Sequence, residues 1–121
     1  MLERASRHPS PDVREEAVRG LIAVAGASAV GRLRDLARDT DERVRTLAVA
    51  GLGGLVGPAA IQALAELACT SKDPATAKEA LDHLARHPSY QARDRLRELA
   101  SGKGDPTLPR PLRRYAKGLA R

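Results

Sequence analysis

His83 and His87 stand four residues apart, the spacing at which two imidazoles on one helix face can hold a zinc ion. The residue after the first is Leu84, where a zinc hydrolase needs a glutamate base, and Pro88 draws His87 out of the helix. The two are read as a surface pair, with no metal. The run Gly51-Leu52-Gly53-Gly54-Leu55-Val56-Gly57 invites comparison with a phosphate loop. Its third glycine falls one position late for G-x-G-x-x-G, and the run closes a predicted helix. Phosphate is held where a helix starts and its N–H groups are free. Close helix packing followed by a helix stop is the better reading. Cys69, the single cysteine, falls in a last helical turn, where the negative end of the dipole disfavours a thiolate. No G-x-S-x-G or Ser-His-Asp order stands out, and most carboxylates fall on solvated faces or in turns. These residues point to no enzyme, no cofactor and no metal.

Charge is the other chemistry available. The formal net charge is +6. Residues 103–121 hold Lys103, Arg110, Arg113, Arg114, Lys117 and Arg121 against Asp105 alone, so five of those six charges lie in this basic C-terminal segment. Arg110, Arg113, Arg114, Lys117 and Arg121 form a candidate basic patch, opposite Leu112, Ala116 and Leu119 on a terminal helix. Such a patch can meet DNA or RNA, an acidic protein or an anionic surface. The chain has only Tyr90 and Tyr115 as aromatics, with no Phe or Trp, and so lacks residues on which bases stack.

The elements that position these side chains follow from repetition. Residues 11–26 and 42–57 share Val13-Arg14 with Val44-Arg45, Ala17-Val18 with Ala48-Val49, Gly20-Leu21 with Gly51-Leu52, and Gly26 with Gly57. Every offset is 31 residues. Ala77-Lys78 and Leu81 continue the series 33 residues on, and Leu112-Arg113 with Tyr115-Ala116 begin a fainter copy. Between the copies lie second apolar patterns at helical spacing: Val30, Leu33, Leu36; Ile61, Leu64, Ala68; Ala92, Leu96, Leu99. Ser10-Pro11, Gly57-Pro58 and Asp73-Pro74 offer a cap or turn residue ahead of proline, and Thr40, Ser28 and Ser89 offer further caps. Gly26 and Gly57 suit left-handed helix ends. The pattern predicts seven helices over about 11–25, 28–38, 41–56, 58–70, 74–86, 89–101 and 111–120. Helix pairs repeating every thirty-odd residues, each with one apolar face, are sheltered only by stacking. The fold class expected is therefore an all-α superhelix, a solenoid of three to four repeats in a single domain over 1–121.

HPSPDVREEAVRGL, DTDERVRTLAVAGLGGL and KDPATAKEALDHL resemble the turn and second helix of HEAT repeats, in particular the short bacterial type of phycobilin lyases. The resemblance implies a structural ladder. The basic residues Arg14, Arg45, Lys78 and Arg113 would pair with turn acids, here Asp39, Asp73 and Asp105. His8 stands where the family has Asp. The resemblance also implies that the second helices line a concave binding face. With Val13, Ala17 and Leu21 as core, that face would present Glu15, Arg19 and Ile22. Next come Thr46, Ala50 and Gly53, with Val49 at the edge. Glu79, Asp82, His83 and Arg86 follow, and then Arg114 and Lys117. The small uncharged middle makes a shallow trough suited to a partner helix or peptide. The expected function is a non-catalytic protein–protein interaction scaffold; contact with DNA or RNA through the basic C-terminal helix is the alternative. Nothing beyond the shared repeat supports lyase chemistry.

A lone cysteine fits a reducing compartment, no apolar run reaches about 20 residues, and the N-terminus has no secretory pattern, so a cytoplasmic location is expected. Residues 2–7 are too short for the first helix of a repeat. The chain is accordingly read as part of a longer protein or as covered there by another chain, with Leu2 and Ala5 forming one turn as the other possibility.

Overall fold

The computed structural model describes residues 7–24, 27–55, 57–104 and 106–120. Among them are seven helices: α1 (Pro11–Val24), α2 (Ala27–Leu36), α3 (Glu42–Gly54), α4 (Pro58–Thr70), α5 (Pro74–Arg86), α6 (Tyr90–Ala100) and α7 (Arg110–Leu119). The described residues contain no strand.

Local chemistry sets most helix starts. A first turn leaves N–H groups free, and an oxygen just ahead of it can accept them. The Asp41 carboxylate accepts from the N–H groups of Arg43 and Val44. Asp73 accepts from Ala75, and Ser89 from Gln91. The cap of α3 is thus Asp41, not Thr40, because extended backbone persists through Asp41. Ser28 lies inside α2, which begins at Ala27. Gly57 (φ 112°, ψ 162°) does not close α3; it leads into α4 ahead of Pro58, and α3 ends at an extended Leu55. Gly26 lies outside the described residues.

The helices form two layers. In one, α1 packs on α3, α3 on α5, and α5 on α7; in the other, α2 packs on α4 and α4 on α6. Consecutive helices pack across the layers. Side-chain contacts between repeats recur at almost constant separation. Arg43 meets Asp12 31 residues back, Arg38 meets Thr70 32 on, and Tyr115 meets Asp82 33 back. The repeat seen in the sequence is therefore a translation in space, as a solenoid requires.

The interior is leucine spaced by alanine. Leu33, Leu52, Leu64, Leu67, Leu81, Leu84, Leu96 and Leu99 are fully buried, each stabilising by about 1.5–3 kcal/mol relative to exposure. Ala48, Ala65, Ala77, Ala80 and Ala92 lie among them and let the helices approach. The buried stripe of α1 is Ala17, Val18 and Leu21, whereas Val13 is only partly covered. At Gly51 an added Cβ would stand 2.7 Å from Ile22 Cγ1, so glycine permits the approach of α1 to α3.

Candidate interaction surface

The turns that enter α1, α3 and α5 share one device. A side-chain acceptor three residues before the helix takes the N–H two residues on: His8 Nδ1 from Ser10 at 3.0 Å, Asp39 Oδ1 from Asp41 at 2.9 Å, and Ser71 Oγ from Asp73 at 3.3 Å. Histidine thus replaces aspartate in the first turn through its ring lone pair. Arg14 and Arg45 then brace these turns. Arg14 donates to both Asp39 oxygens at 2.7 and 3.0 Å, and to the carbonyls of His8 and Pro9. Arg45 donates to Asp73 Oδ2 at 3.1 Å and to the carbonyls of Asp39 and Thr40. The carboxylate moves from the turn position in one repeat (Asp39) to the cap position in the next (Asp73). Hydrogen bonds from Thr76 and the Ala75 N–H hold the Asp73 carboxyl below its usual range, with Arg45 adding to the effect.

Two further basic residues of the series do something else. Lys78 Nζ lies over the Tyr115 ring, 5.5 Å from its centroid, and the Tyr115 hydroxyl donates to Asp82. Arg113 Nε donates to the Leu108 carbonyl at 2.9 Å, inside its own turn. Asp105 and Arg121 lie outside the described residues, as do Leu2 and Ala5. A groove of about 590 Å³ separates the turns of Asp39 and Asp73, bordered by Arg38, Arg45 and Lys72. Both carboxylates line it, Asp39 paired with Arg14 and Asp73 with Arg45, while Arg38 donates to the Thr70 hydroxyl and Lys72 is exposed.

On the face of the second helices, Arg19, Thr46, Ala50 and Arg86 are exposed, and Ile22 keeps 37% of its surface. Glu15, Glu79, Asp82 and His83 are partly buried. Two positions differ from the sequence-based expectation. Val49 is fully buried, and an added Cβ on Gly53 would fall 2.3 Å from His83 Nδ1. The reason is the same in both cases. α3 is an interior helix with α1 on one side and α5 on the other, so a wider sector is covered than one apolar stripe predicts. Of the expected small-residue stretch, Thr46 and Ala50 stay exposed, while Ile22 lies against Gly51 and His83 against Gly53. Desolvation, reinforced by Asp73, Glu42 and Asp82, raises the pKa of Glu79. Burial, with Arg86 nearby, lowers that of His83.

His83 and His87 are not a surface pair. His87 is buried, its Nδ1 accepts from the Ser89 N–H at 3.2 Å, and Nε2 therefore carries the proton toward the Leu55 carbonyl at 3.4 Å. That bond ties the end of α5 to the end of α3. Among the described residues no three metal-ligating side chains cluster. The Cys69 thiol points to the Pro106 carbonyl, and burial raises its pKa.

The C-terminal cations are distributed differently from the sequence expectation. Arg110, Arg114 and Lys117 are exposed, while Arg113 is half-buried in its turn. Arg93 and Arg97 of α6, which the sequence reading passed over, border grooves that reach α7. Their four-residue spacing was visible; the side of α6 they occupy was not.

Two layers of stacked helix pairs with a recurring braced turn define an α-solenoid. The HEAT-repeat model of protein families matches residues 1–73, and the chain belongs to the HEAT-repeat family. No curated protein matches it. HEAT repeats commonly serve as protein-interaction scaffolds and are generally not enzymes. No helix among the described residues is long and apolar enough to cross a membrane.

Proposed function

We propose that this chain is a non-catalytic scaffold that binds a partner helix or peptide along the face of its second helices. The observation that carries the reading is the uncharged, exposed step at Thr46 and Ala50, with the partly exposed Ile22 beside it. Charged side chains lie on either hand: Glu15 and Arg19 on α1, and Glu79, Asp82 and Arg86 on α5. An apolar strip between charged margins suits an amphipathic segment, whose apolar residues fill the strip while polar ones fix its register. The turn network needs none of these residues, so the face is available while the ladder keeps it rigid.

Ala50→Arg places a long cation in the middle of the strip. Pull-downs from extract of the source organism should lose partners with this variant and keep them with Gln62→Arg, which alters an exposed position on α4. Retention of every partner by Ala50→Arg would discard this face. Nucleic-acid contact through the C-terminal helix has less support. Arg113 is committed to the Leu108 carbonyl, and Tyr115 to Asp82 and Lys78.

A further inference from the structure

We infer that the surface where α6 and α7 meet the end of α5 is a second docking surface, for an amphipathic helix with small apolar residues on one face and acidic residues flanking it. This goes beyond the concave-face reading and involves different side chains. Two adjoining grooves of about 210 and 230 Å³ run between α6 and α7 and share Arg97 and Ala120. Their floor is Ala85, Ala100, Leu119 and Ala120. Three of the four are alanines, the short side chains that let another helix approach closely.

The rim is cationic. Arg93 and Arg97 stand one turn apart on α6, and Lys117 of α7 shares a groove with Arg97. Arg110 and Arg114 extend the charge along α7, which carries no acidic residue. Among the described residues none of these five cations has an ion pair. The nearby acids do not answer them: Glu98 pairs with Arg95, and Asp94 borders neither groove.

Charge complementarity selects the occupant. Arginine forks match carboxylates, and an apolar floor asks for apolar contact along the same line. An acidic amphipathic helix supplies both. A nucleic-acid backbone supplies the charge but leaves the floor unfilled, and no aromatic side chain lines the grooves to stack a base.

The test uses the full chain and a fluorescent synthetic peptide of about 16 residues with an Ala/Leu face and Glu on both flanks. Controls are the same peptide with Lys for Glu, a scramble without an apolar face, and a short DNA duplex. In anisotropy titrations the Glu peptide should bind, and Arg93→Glu/Arg97→Glu should weaken it by about tenfold or more. Ala120→Glu, which places a carboxylate on the floor, should do likewise, whereas Gln62→Arg, at an exposed position on α4, should leave binding unchanged. The scramble and the Lys peptide should bind at least about tenfold more weakly. Circular dichroism verifies that each variant is folded. No binding of the Glu peptide overturns the proposal, as does equal binding of the scramble or indifference to the α6 charge reversals. So does a DNA duplex that binds with that sensitivity in the peptide's place.

Discussion

The first two braced turns and the last helix pair put the same residue types to opposite uses. At the turns before α3 and α5, arginine meets aspartate inside the stack, and Arg14 and Arg45 also gather backbone carbonyls. At α6 and α7, Arg93, Arg97, Arg110, Arg114 and Lys117 are left without acidic partners, and the contact between α5 and α7 is made by Lys78, Tyr115 and Asp82. One arrangement spends charge on holding repeats together. The other leaves charge on the surface, where a partner can meet it. Basic residues in a repeat protein therefore cannot be assigned to ligand or scaffold by type; the decision lies in whether a carboxylate stands one repeat away.

The largest expected effect separates interior from margin. Leu52 is fully buried between neighbours on both sides, and Leu52→Ala should cost about 2–4 kcal/mol in urea unfolding. Leu119, only partly buried at the edge of α7, should lose clearly less when changed to Ala. If the two are equal, interior and margin do not differ in the way described. Next in size is the ladder. Arg14→Met strands a largely covered Asp39 and two turn carbonyls, so its thermal midpoint should fall further than that of Lys78→Met, which loses only a ring contact. The reverse order would remove the contrast between ion-paired turns and the aromatic contact.

Acid sharpens the comparison further. Asp41 and Asp73 have folded pKa values below their ordinary 3.8. Beneath 3.8 the unfolded chain then binds more protons than the folded one, so stability falls as pH drops from 3.8 through the folded values. Asp73→Asn should flatten that part of the curve, whereas substitution at the unpaired Arg114 should not. The smallest effect concerns His83, whose pKa is lowered from 6.5 by burial. Its contribution is complete above 6.5 and is lost as pH falls through the folded value. An NMR titration of the ring should give a midpoint below 6.5; one at or above it would mean that the Asp82 carboxylate outweighs burial at His83.

Much of the fold is legible in the chain. Val13-Arg14 and Val44-Arg45 at one offset, prolines after caps and apolar residues at helical spacing place seven helices to within a few residues. The surface is less legible, and Val49 and Gly53 illustrate why. Helical spacing locates the centre of a buried stripe but not its width, which depends on how many neighbours a helix has. His87 illustrates the complement: a polar residue next to a proline looked exposed, yet its ring joins two repeats through Leu55 and Ser89.

By itself the sequence determined the repeat length, the helical periods and the caps, because these depend on local backbone chemistry and on where apolar side chains recur. Only the tertiary structure decided which arginines are consumed in the stack, which small residues are covered, and that Arg97 faces the same groove as Lys117. Those outcomes depend on the rotation of one helix against the next, and no single helix carries that information.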